Sequence, residues 1–237
     1  MDRDGLRARP DHDWQQAVVQ ALCDSPVLGD RGARAMLAEL IGDRLGRPVV
    51  LREQATTQLQ HLRHRGNVEE ALRLGTKICH RYEETYGKHH PHALSAAVNL
   101  AITYRLLGNA AAAQYIDAVA LAQLTEGLGA THPSTLVCRT NLASDHYALG
   151  DAADALRLDT ETLRGFREVF DTDHPSTLAC AANLAMDLRA VGRVEEAEAL
   201  HGDTHNRLLR MGSGHPAVAQ AFDWDHRADC DIDPMPL

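Results

Sequence analysis

The stretch THPSTLVCRTNLASDHYALGDAADAL, residues 131–156, decides the fold. Its opening returns as DHPSTL at 173–178, and the rest of its pattern returns with it. His-Pro stands at His90-Pro91, His132-Pro133, His174-Pro175 and His215-Pro216, in steps of 42, 42 and 41 residues. Asn-Leu-Ala follows the first three at Asn99, Asn141 and Asn183, then Gly at Gly108, Gly150 and Gly192, then Ala at Ala113, Ala155 and Ala197. Four markers held in phase over three copies define a repeat, and a period of this size is the mark of stacked structural units.

Each unit reads as a helical hairpin. Pro is accommodated in a first helical turn, where its missing N–H costs nothing, and the His, Ser or Thr around it can cap that turn. Leu136, Leu142, Ala143 and Leu149 follow one face of helix A. Gly150 ends that helix in the left-handed conformation, and Asp151 caps helix B, which runs through Ala155, Leu156, Leu158 and Leu163 to Phe166 and Phe170. A lone hairpin cannot bury both of its faces, so neighbours must stack into a solenoid.

The run Leu100-Ala-x-x-Tyr104-x-x-x-Gly108, with Ala113 after it, resembles the tetratricopeptide repeat (TPR) signature. The 42-residue period with His-Pro and Asn-Leu-Ala is similar to the kinesin-light-chain type of TPR. This resemblance implies an all-α, right-handed α-solenoid of stacked helical hairpins. Full repeats are expected at 89–130, 131–172 and 173–214. A degenerate one is expected at 51–88, where GNVEEAL at Gly66 echoes GRVEEAE at Gly192 but Thr57, Gln58 and Leu59 replace Asn-Leu-Ala.

Both ends depart from the phase. Residues 1–50 are expected to form an N-terminal helical segment: Trp14, Val18, Val19 and Leu22 mark one short amphipathic helix, and Ala35, Met36, Leu37, Leu40 and Ile41 a second. Its pattern resembles the first half of a bacterial effector-associated domain of the second type, which implies a homotypic partner through residues 14–50. A plain cap on the solenoid is the alternative. At the other end a terminal helix is expected over 215–228, with Trp224 and Asp225 where the repeat has Asn and Leu. An irregular acidic Cys/Pro tail, 229–237, follows it. Trp224, Asp229, Cys230, Asp231, Asp233, Pro234 and Pro236 make up a punctuated tail motif. It resembles the C-termini of TPR proteins of FxSxx-COOH peptide-modification clusters, which implies a modifying enzyme as a partner. The plain reading is a solvated, disordered end with an exposed Cys230.

Composition agrees with this picture. The 237 residues are 44% hydrophobic but only 4% aromatic, so the core is filled by Leu, Ala and Val. Acidic residues number 33 against 24 basic, a net charge of −9, which argues against nucleic acid or an anionic membrane as partner. No run approaches the roughly 18 apolar residues of a membrane span, and a cytoplasmic protein is expected. The five Cys are scattered without a CxxC, so neither a disulfide framework nor a zinc knuckle is expected.

No nucleotide-binding, metalloprotease or nucleophile-elbow motif is present, and the chain is expected to be no enzyme, with no cofactor and no metal. His201 and His205, four apart on one helix face, have a spacing that can bind a metal, but a solvated helix face is the expectation, and Cys138 and Cys180 are expected to be small buried residues. The candidate site is the concave groove. The TPR phase places Asn99, Asn141 and Asn183 along it, one per repeat. Ile102, Ser144 and Met186, then Arg105, Tyr147 and Arg189, lie beside them, with Val98, Thr140 and Ala182 completing the wall. Asn amides there can hold the backbone of an extended peptide, and the two Arg suit acidic character; the alternative is that each Asn merely bridges adjacent hairpins. The expected function is a non-enzymatic adaptor or scaffold with a protein or peptide in this groove and the N-terminal helices as a second recruitment surface. The alternative is an accessory or substrate protein of a peptide-modification pathway, acting through its tail. The acidic tail is itself one conceivable occupant of the groove.

Overall fold

The computed structural model describes residues 52–211, 224 and 226–232. Every described helix follows the repeat. They are α1 (Arg52–His64), α2 (Val68–Tyr86), α3 (Pro91–Leu106), α4 (Ala110–Leu128), α5 (Pro133–Ala148), α6 (Ala152–Val169), α7 (Pro175–Ala190) and α8 (Val194–Met211). The expected helices of residues 1–50, the segment 215–223, Asp225, and the tail residues Asp233, Pro234 and Pro236 lie outside the described residues. The repeats and residues 226–232 fall in one compact unit, Ala55–Leu237.

Local chemistry places each boundary. His90, His132 and His174 stand extended just before α3, α5 and α7, and each Nδ1 accepts the backbone N–H two residues on, at 3.2 Å. The His-Pro dipeptide thus supplies both the cap and the preset first turn. At the far end Gly150 takes φ +85°, and Asp151 next to it accepts the Asp154 N–H to start α6.

From α2 onward consecutive helices pack in antiparallel pairs, and the A helices α3, α5 and α7 also touch one another along the stack. Ala101, Ala143 and Ala185 are fully buried on the A helices, as are Ala113, Ala155 and Ala197 on the B helices. Such small residues allow the close approach that a solenoid of this kind needs. Leu136, Phe166 and Cys180 share one core cluster that runs through several repeats. Ahead of the full repeats α1 turns into α2 through Gly66 at φ +75°, and Leu59, at the place of Ala101, is buried.

The A helices are buried nearly all round. In α7 every residue from Thr177 to Leu188 is buried, including Asn183 and Asp187. Two sides are covered by B helices. The third side, which carries Asn, Ser and Asp, is covered by residues 226–232.

Candidate functional site: a groove that holds residues 226–232

The site begins with three side-chain amides. Asn183 Nδ2 donates to the Ala228 carbonyl (3.0 Å) while its Oδ1 accepts the Ala228 N–H (2.7 Å). Asn141 does the same with Cys230, at 2.7 and 3.4 Å, and Asn99 with Ile232, at 3.0 and 2.8 Å. Each amide offers a donor and an acceptor side by side, which matches one residue of an extended chain on its peptide edge. The step between paired residues is two, about 6.6 Å of extended backbone, and the segment runs from the last full repeat toward the first. Alternation does the rest. Ala228, Cys230 and Ile232 are buried, and Arg227, Asp229 and Asp231 reach the groove walls.

The walls are charged. Arg63 pairs with Asp231, which also accepts from Gln60 Nε2 at 2.8 Å. Arg105 pairs with Asp229 at 2.9 Å and with Asp145 of the next A helix at 2.7 Å. Burial opposes the charge on Arg105, but Asp229 and Asp145 outweigh it and hold its pKa above the ordinary guanidinium range. Arg227 pairs with Asp159 and Asp187, both fully buried, donates to Ser144 Oγ at 3.0 Å, and lies over the Tyr147 ring at 4.8 Å. Arg189 lies over Trp224 at 4.7 Å, and Trp224 stacks on His201 with ring centroids 4.1 Å apart.

Several expectations are thereby located. Asn99, Asn141, Asn183, Arg105, Ser144 and Tyr147 converge on one segment, and Arg189 meets Trp224. Thr140 and Met186 are buried; the Thr140 carbonyl accepts the Ser144 hydroxyl. The reading of the tail as a solvated, disordered end is corrected for residues 226–232, which are extended and docked. Residues 226–228, expected to end a terminal helix, belong to that segment: Asn183 takes both backbone groups of Ala228, and the Arg227 side chain is held by Asp159 and Asp187. The exposed Cys230 is corrected as well. It is 7% exposed, and burial, then Asp159 and the flanking Asp229 and Asp231, push its thiol up to about 12. Cys138 and Cys180 are buried, with thiols raised first by burial.

Other site residues are harder to see in the sequence. Arg63 and Gln60 stand one period before Arg105 and Ile102, so stepping back along the repeat finds them. Asp145 and Asp187 share one repeat position, and Asp117 and Asp159 another. A charge on a buried helix reveals no partner by local pattern. Among the described residues His146, Asp151 and Asp154 lie close enough to share an ion, yet Asp151 is engaged as the α6 cap, with His146 Nδ1 at 3.3 Å.

The paired acids predict a pH effect. Burial first, then the Asp145 charge, raise Asp117 well above the usual carboxylate range, and burial raises Asp145 as well. In the unfolded chain Asp117 titrates near about 3.9. The fold therefore binds an extra proton, and its contribution to stability falls as pH rises from about 4 through the raised folded pKa. Asp117→Asn keeps the shape and needs no proton. Its stability in urea should depend less on pH above about 4 and exceed that of wild type at pH 8. A wild-type slope retained in full would refute the assignment.

Among the described residues no helix is long and apolar enough to cross a membrane. No match was found among curated proteins. Two kinds are among the solved structures that are similar. One is a Podosopora anserina kinesin light chain of nearly identical TPR-like repeats, with TM-score 0.57 and 24% identity over 73% of this chain and 86% of that one. The other is BtubC (BKLC) from P. vanneervenii, with TM-score 0.56 and 17% identity over 70% of this chain and 66% of that one. At these identities the likeness is one of fold. The tetratricopeptide repeat profile matches residues 60–126 and 139–210, more than half of the chain, and the protein belongs to that family.

Proposed function

We propose that this protein is a non-enzymatic adaptor whose groove captures an extended protein segment by its backbone, with its own residues 226–232 as the resident occupant. The observation that carries this reading is the Asn ladder. Three amides one repeat apart each satisfy both backbone groups of every second residue in the segment. Main-chain capture gives affinity with little regard to sequence, and the side pockets add selectivity. A partner segment then binds by displacing the tail, so the closed form is self-inhibited. Residues 14–50 serve as a second recruitment surface in this scheme, with a homotypic partner.

A modifying enzyme acting on the tail is the second possibility. It would have to meet the released form, since Cys230 is buried and its thiol protonated in the docked one.

The test uses a labelled peptide of sequence HRADCDID, residues 226–233, and fluorescence anisotropy. Asp229→Ala/Asp231→Ala in the full chain weakens the resident tail without touching the groove. The peptide should bind this variant more tightly than wild type, and adding Asn141→Ala should remove the gain. Equal affinity for all three proteins would sink the proposal.

A further inference from the structure

The groove walls contain a second ladder, made of guanidinium groups. Arg63 Nη1 donates to the Asn99 carbonyl at 2.9 Å, and Arg105 Nη1 to the Asn141 carbonyl at 3.4 Å. By the 42-residue period the residue owed to the Asn183 carbonyl is position 147, and it is Tyr. Arg227 of the tail fills that place, its Nη1 donating to the Asn183 carbonyl at 3.4 Å and its Cζ over the Tyr147 ring at 4.8 Å. The acids repeat as well. Arg105 meets Asp145, beside which lies Asp117; Arg227 meets the equivalent Asp187 and Asp159. In one repeat the guanidinium is built into the helix, and in the next it is delivered by the occupant.

We infer that Ser144, Tyr147, Asp159, Asp187 and the Asn183 carbonyl form a guanidinium-specific pocket that anchors the groove's occupant. The segments the groove selects therefore have the pattern Arg-small-Asp-small-Asp in extended form. This specificity rests on the capture function proposed above. Three features favour a guanidinium over an ammonium. The acceptors are spread over two carboxyls, a hydroxyl and a carbonyl, which suits a planar fork with five donors rather than one compact charge. The Tyr147 face suits a flat cation. The two Asp side chains are fully buried, so an empty pocket leaves them without their counter-charge. The remainder of the pattern follows from the walls: Asp at the second and fourth places beyond the Arg meets Arg105 and Arg63, and small residues between fit the buried floor.

The experiment reads docking through the alkylation rate of Cys230 in the full chain, with the modified thiol located by mass spectrometry and helix content followed by circular dichroism. Wild type should react slowly. Arg227→Ala should react on the order of 100-fold faster, since it breaks a buried ion pair. Arg227→Lys should be faster by roughly tenfold, from the loss of charge-assisted hydrogen bonds. Millimolar methylguanidinium should restore protection to Arg227→Ala, and methylammonium should not. Tyr147→Arg reinstates the residue that Arg105 and Arg189 represent in other repeats, so it keeps the helix intact. It should expel Arg227, speed alkylation, and make the rate insensitive to a further Arg227→Ala. Protection in Arg227→Lys equal to wild type, or equal rescue by methylammonium, would overturn the pocket while the capture function stands. Fast alkylation of Cys230 in wild type would overturn the capture function and the pocket together.

Discussion

Replacing Asn141 by Ala should free the tail while leaving the solenoid standing. The amide makes two hydrogen bonds to Cys230 and is fully buried. At about 0.5–1.5 kcal/mol for each bond, about 2 kcal/mol of docking is removed. That corresponds to a roughly 30-fold larger open population. The helix itself should not suffer, since Ala is the best helix former and Asn a poor one. Alkylation of Cys230 and amide exchange at Ala228, Cys230 and Ile232 should therefore quicken by about 30-fold, provided closing is fast relative to the chemistry. Thermal unfolding of the repeats should hardly move. The rival idea, that Asn141 bridges adjacent hairpins, predicts the reverse: a lowered melting temperature and an unchanged rate at Cys230. The two outcomes separate cleanly.

How much of this could be read from the sequence depends on the distance over which each pattern acts. The hairpins were legible because the His-Pro cap, the Asn-Leu-Ala and the Gly recur in phase, and each acts on neighbours within a few residues. The Asn positions were legible as a groove for the same reason, once the phase was known. The docked segment was harder to see. Arg227 to Ile232 alternates charged and uncharged residues with period two, the signature of an extended chain with one covered face. In isolation that run reads equally well as a solvated acidic end, because the surface that covers it lies 45 to 133 residues away. The buried acids were illegible for a related reason. Asp159 and Asp187 look like ordinary helix charges until a guanidinium 68 and 40 residues away is placed between them. What the repeat did contain, and what a local reading passes over, is the gap: Tyr147 interrupts a series that holds Arg at 63, 105 and 189.

Phe166→Ala should cause the largest loss of stability of any single truncation considered. Phe166 is fully buried on α6 and belongs to the cluster that joins Leu136 of its own repeat to Ala179 and Cys180 of the next. Its ring lies 6.0 Å from that of Phe170, which stacks at 3.9 Å on His174, the residue that caps α7. One side chain therefore links the end of a B helix to the start of the following A helix. Truncating a buried Phe costs about 3–5 kcal/mol. For a unit of this size the melting temperature should fall by roughly 6–20 °C. Phe166→Leu, which keeps most of the volume, should lose far less, within about 1.5 kcal/mol. In a solenoid the damage is confined to one interface between neighbours, so the transition should also broaden as the two halves uncouple. The tail reports the direction of that uncoupling. Asn183 sits on α7, just beyond the weakened interface, whereas Asn99 sits on α3, well before it. Amide protection at Ala228 should then fall more than at Ile232. A melting temperature within 3 °C of wild type, or equal loss of protection at both amides, would show that Phe166 does not hold the two repeats together.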